Sequence, residues 1–185
     1  QAKMFSIPLS NASSHVLIKD VLISESAYQK WKKSFLYSIL FSYKKAKNYS
    51  KINALIERIL EKKPETISEI AIKSVIEVSK YLDLKTEFEV CSNVYSNTYL
   101  SGQNRVLDIC INEKATTYIN PIGGMELYSK SVFKEKNIEL FFIKANKLVY
   151  PQFSEEFVPF LSIIDVLMFN DIDEIQKQLN NFTLI

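Results

Sequence analysis

The feature that most constrains this chain is a change of hydrophobic period part-way along it. Between Ser24 and Leu82 the apolar residues recur at helical spacing, three times over. Tyr28, Trp31, Phe35 and Ile39 form one stripe, with Lys30, Lys32 and Lys33 opposite. Ile52, Leu55, Ile56 and Ile59 form a second, which must stop before Pro64 because proline cannot continue the hydrogen-bond ladder. The third begins at a capping box, Thr66-Ile67-Ser68-Glu69, and places Ile67, Ile70, Ala71, Val75, Val78 and Leu82 on one face. From Leu84 the pattern alternates. Strand-like runs at residues 88–91, 116–120 and 138–143 are separated by helical stretches at 101–114 and 125–136.

Strands separated by helices of ordinary length favour parallel pairing with right-handed crossovers. The expected fold is therefore α/β: helices packed on a small, partly parallel β-sheet, with a β-α-β-α-β run in the C-terminal half. Phe141 and Phe142 predict a strand buried on both faces. Upstream, residues 4–9 and 16–23 read as two short strands around the turn-rich Ser10-Asn11-Ala12-Ser13-Ser14. Downstream, an apolar helix is expected over 160–169 and a more polar one over 171–179.

A chain of 185 residues, 47% hydrophobic, can bury a core as one α/β domain over residues 1–185 without metal or disulfide staples. Three Gly and five Pro leave little material for flexible linkers. The 23 basic and 21 acidic residues are dispersed, so nucleic acid is not an expected partner. Cys91 and Cys110 lack any metal-binding spacing and are expected to be buried free thiols. No run of about 20 apolar residues is present to span a bilayer, and a cytoplasmic location is expected. The sequence carries no cofactor or metal signature, and oligomeric state is not legible in it.

Chemistry-bearing candidates are few. Asn120-Pro121-Ile122-Gly123-Gly124 follows a predicted parallel strand and precedes a predicted helix, where open α/β sheets place ligands. A helix N-terminus there would attract an anion, although two glycines also serve simply to make the turn. Arg105 starts the preceding helix and would suit a phosphate or carboxylate through bidentate bonds, or a salt bridge to Asp108 or Glu113. Asp165 lies in the apolar run Leu161-Ser162-Ile163-Ile164-Asp165, where an unpaired carboxylate is costly and a purposeful one would be a general base. The competing role is structural, either a capping box with Ser162 or an ion pair with Lys147. His15, the sole histidine, is a candidate acid or base if it faces a cleft and an ordinary exposed side chain otherwise. Trp31 fits the core face of its helix. Neither a nucleophile elbow nor an HExxH motif occurs.

Taken in order, Trp31-Lys32-Lys33, Arg105-Val106-Leu107-Asp108-Ile109-Cys110, Ala115-Thr116-Thr117-Tyr118-Ile119-Asn120 and Tyr150-Pro151-Gln152-Phe153 resemble the WbqC-like protein family. Leu161-Ser162-Ile163-Ile164-Asp165 and Phe169-Asn170 extend the likeness. The family often carries Gly where this chain has Lys114, which bears on how the preceding helix ends. The family's usual opening segment has no counterpart before residue 4, so an N-terminal piece is expected to be missing. The resemblance implies a place among bacterial surface-polysaccharide genes, those for O-antigen especially, and transfer of glycine or another acyl group to an amino sugar. In that picture the partner is a small molecule such as a nucleotide-linked sugar. Asp165 or His15 is catalytic and accepts the amine proton, Arg105 and the helix starting after Gly124 hold phosphate or acyl carboxylate, Tyr150 and Gln152 bind sugar hydroxyls, and Asn120, Gly123, Gly124 and Ser162 are further substrate-binding residues. The alternative is a non-catalytic binding or assembly subunit of the same machinery.

Overall fold

The computed structural model describes residues 2–185. The chain divides into two compact units, the first formed by residues 1–88 and 149–178, the second by 89–148 and 179–185. The α/β class holds: among the described residues, seven α-helices accompany a three-stranded mixed sheet.

The first unit is helical. α1 (Glu25–Tyr43), α2 (Tyr49–Ile59) and α3 (Ile67–Tyr81) realise the three predicted stripes. α3 starts as its capping box predicts, the Thr66 hydroxyl accepting from the Glu69 N–H at 3.3 Å. The Glu69 carboxylate reaches back one residue further than expected, accepting from the Glu65 N–H at 2.8 Å. Tyr28, Ile39, Ile52, Leu55 and Ile70 lie in the core. The stripe of α3 is less covered than its pattern implied, for Val75 is 53% exposed.

Two further helices, α6 (Ile163–Phe169) and α7 (Ile172–Gln178), complete this unit and add Leu167, Met168 and Ile175 to its core. Asn48 pins α6 to the start of α2. Its side-chain amide donates to the carbonyls of Leu167 at 3.2 Å and Asn170 at 2.8 Å. The N-terminal runs that read as strands form only isolated antiparallel bridges, Leu9 with Ile23 and Leu22 with Thr66. The second is interrupted by a 3-10 turn at Ile18–Asp20. Short β-prone runs with no sheet to join give a bridge and nothing longer.

The second unit holds the sheet. β1 (Thr117–Pro121) pairs in parallel with β2 (Glu139–Ala145) in the register Thr117 to Glu139, and β3 (Phe182–Leu184) pairs antiparallel with β2, Ile143 facing Leu184. α4 (Gly102–Asn112) and α5 (Lys130–Lys134) supply Leu107, Cys110 and Phe133 to a core completed by Leu140 and Phe142 of β2. Residues 88–91 lie outside the ladders, so the predicted run is shorter by its first strand, and Cys91 is exposed, contrary to its expected burial. The expected helix over 125–136 shrinks to the five residues of α5. Only alternate residues of β2, Leu140 and Phe142, are fully buried, so Phe141 does not face a second core layer.

Lys114 explains why a glycine suits its position. It ends α4 with φ +53°, the left-handed region that favours glycine, and the Ala115 N–H behind it bonds the Cys110 carbonyl at 2.9 Å.

Candidate functional site

Asp165 sits in the first turn of α6 and is 3% exposed. Its neighbour Ser162 caps the helix, the hydroxyl accepting from the Ile164 N–H at 3.3 Å. The carboxylate takes no part in that cap. Oδ1 accepts from the Tyr43 hydroxyl at 2.8 Å, and Oδ2 accepts from the Tyr150 hydroxyl at 2.7 Å and from Gln152 Nε2 at 2.8 Å. Among the described residues of its own unit no ion pair involves it. A buried carboxylate is instead held by three neutral donors from two places in the chain: Tyr43 at the end of α1, and Tyr150 and Gln152 in the loop before α6.

The donors are themselves fixed. Gln152 is oriented by Val158, whose N–H donates to Oε1 at 2.8 Å while Nε2 also reaches the Val158 carbonyl at 3.2 Å. The Tyr150 ring packs edge-on against Phe157 at 5.1 Å, and Tyr43 against Phe169 at 6.1 Å. Burial, and then the hydrogen bond to Asp165, hold both phenols well above the ordinary phenol range. Both therefore remain proton donors at neutral pH.

Each carboxylate oxygen offers about two lone-pair directions. Oδ2 has both engaged, whereas Oδ1 has one donor and one direction left over. Asp165, Gln152 and Tyr43 line a cavity of about 480 Å³ whose walls also include Phe35, Phe153 and Phe169. Hydroxyls of Ser38, Ser42 and Ser154 add polar contacts, and Lys3 reaches in to donate to Ser38 Oγ at 3.2 Å. Aromatic walls with a few oriented polar groups are what a small polar ligand requires. Among the described residues no group of three or more His, Cys, Asp or Glu could hold a metal ion.

The sequence candidates divide between the two units. Asp165, Tyr150, Gln152 and Ser162 belong to the first unit and gather at or beside this cavity. His15, also in the first unit, is exposed on a turn, its backbone N–H donating to Ser13 Oγ at 3.3 Å, and it does not line the cavity.

Arg105, Asn120, Gly123 and Gly124 belong to the second unit. Arg105 makes neither expected salt bridge. Its Nε donates to Asn97 Oδ1 and one Nη to Ser92 Oγ, each at 3.1 Å, which ties the preceding loop to α4. Asn97, 1% exposed, passes the connection to Asp108 at 2.7 Å. Asn120 donates to the Tyr118 hydroxyl at 2.6 Å. Gly123 and Gly124 lie in a 3-10 turn at Ile122–Gly124 rather than at the start of a long helix. A Cβ on Gly124 would come within 2.2 Å of Asn120 Oδ1, so the Asn120 side chain would have to shift to admit one, while Gly123 faces open space.

Sequence reasoning missed Tyr43, Ser38 and Lys3. Tyr43 had a usable signal: it continues the α1 stripe four residues after Ile39, and a polar-tipped ring on a core face needs a partner. Lys3 and Ser38 carried none.

A family model described as the WbqC-like protein family matches residues 1–177. The chain belongs to that family. The match takes in every residue of the Asp165 cluster and ends before β3 of this WbqC-like protein. No curated protein and no solved structure matches the chain. Among the described residues of the WbqC-like chain, no helix is long and apolar enough to cross a membrane.

Proposed function

We propose that this WbqC-like protein is a transferase of bacterial surface-polysaccharide synthesis, moving an acyl or aminoacyl group onto the amine of a nucleotide-linked sugar. The observation that carries this reading is the Asp165 carboxylate, held by Tyr43, Tyr150 and Gln152 at the wall of a 480 Å³ cavity with one acceptor direction of Oδ1 open. Such a group accepts an N–H or O–H from a bound sugar and aligns it.

In the reaction the amine nitrogen forms a bond to the acyl carbon and the carbon's bond to its leaving group breaks. The surplus proton on nitrogen passes to Asp165 and from there to the leaving group. Tyr43 and Tyr150 keep their protons throughout and hold the carboxylate in place. Ser38, Ser42 and Ser154 suit sugar hydroxyls, the rings of Phe153 and Phe169 suit a sugar face, and Lys3 suits phosphate or carboxylate. Arg105, Asn120 and Gly124 keep the structural contacts described above, and Gly123 and His15 have no part in this scheme.

Calorimetric titration with UDP-glucosamine tests the reading. Saturable binding that weakens at least ~10-fold in Asp165→Asn, with the far-UV spectrum unchanged, is expected, that factor being about 1.4 kcal/mol of lost interaction. A folded protein that binds no nucleotide sugar is a docking or assembly subunit instead.

A further inference from the structure

We infer that the substrate aligned at Asp165 carries a hydrocarbon chain, seated in a second, apolar chamber that adjoins the polar cavity. This inference rests on the reading of the Asp165 cavity as the substrate site. The chamber, about 370 Å³, opens among α1, α2, α3 and α6, and its walls include Ile56, Ile59, Ile67 and Val78. Its volume is more than twice the ~150 Å³ that suffices to hold benzene in an apolar cavity. Phe5, Phe35, Ser162 and Ile164 line both chambers, so one molecule can reach from one into the other past a shared wall.

The chemistry of the two spaces differs sharply. Ser74 and Ser162 are the hydroxyl residues of the apolar chamber, and both have local partners: Ser74 donates to the Ala71 carbonyl at 2.8 Å and Ser162 accepts from the Ile164 N–H. The remaining surface is aliphatic or aromatic and excludes a sugar or a phosphate, whose hydroxyls and charges would lose water without replacement. The volume and the apolar lining of the chamber together describe an acyl chain longer than a glycyl or acetyl group.

Trp31, a residue of the chamber wall, is the sole tryptophan, so its emission reports on the chamber directly. Dodecanoate, kept below its micelle concentration, is the probe and acetate the control for charge without chain. The expected result is a saturable emission change with dodecanoate and none with acetate. Ser74→Phe and Ala71→Phe, which fill the chamber from α3, should each weaken binding at least ~10-fold. Thermal melts establish that each variant is folded, and the two filling variants act independently should one fail to fold. An unchanged emission across the titration, or equal binding by folded filling variants, overturns the inference. Dodecanoate binding of the expected kind without UDP-glucosamine binding leaves the chamber standing and removes the amino-sugar reading; UDP-glucosamine binding alone does the reverse.

Discussion

Tyr150→Phe removes one oxygen atom and little else. The ring keeps its contact with Phe157 at 5.1 Å, and the residue is 7% exposed, so solvent has little access to replace the missing donor. What disappears is the 2.7 Å hydrogen bond to Asp165 Oδ2, which retains only Gln152 at 2.8 Å. A buried hydrogen bond to a charged group contributes about 1.5–3 kcal/mol, and we expect a loss near ~2 kcal/mol. With a urea slope of about 2 kcal/mol/M, that loss lowers the unfolding midpoint by ~1 M. Emission from Trp31 follows the transition in the same unit that holds Tyr150. In an Asp165→Asn background the acceptor is neutral and the bond is worth about half as much, so the same substitution should move the midpoint by ~0.5 M or less. A shift below ~0.25 M in the native background, or equal shifts in the two backgrounds, would refute the idea that the phenol stabilises a buried carboxylate.

Alkaline titration gives a second check. The folded phenols of Tyr43 and Tyr150 are held above the ordinary value of 10.0, so their contribution is fully present below pH 10.0 and is lost as pH rises toward the folded values. Absorbance of tyrosinate should show these two rings ionising only with unfolding, and Tyr43→Phe should flatten the loss of stability above that pH. Gly124→Ala should cost about 1–3 kcal/mol, because its methyl displaces Asn120 Oδ1 and strains the bond to Tyr118, whereas Gly123→Ala should stay within about 0.5 kcal/mol; chemical denaturation followed by circular dichroism compares them. Lys114→Gly should stabilise the second unit by up to ~1 kcal/mol, since it relieves a left-handed residue at a modest entropic cost, and hydrogen exchange along α4 would register the gain.

Local patterns determined much of this molecule. The three stripes of the first unit, the Thr66 cap and the strands β1 and β2 all follow from side-chain period and capping chemistry, which act over a turn or two and are legible residue by residue. The motifs around Arg105, Asn120, Tyr150 and Asp165 also sufficed to indicate the WbqC-like family. Strand identity at residues 88–91 did not follow, because an extended segment becomes a strand only when a neighbouring ladder accepts it, and the sheet β1-β2-β3 leaves residues 88–91 outside. The partners of Asp165 belong to the tertiary structure as well. Tyr43 lies 122 residues away in the chain, and nothing in the run Leu161-Ser162-Ile163-Ile164-Asp165 distinguishes a carboxylate that closes its own helix from one that gathers two distant phenols and an amide. Spacing along the chain carries local hydrogen bonds; only packing decides which buried donor meets which buried acceptor.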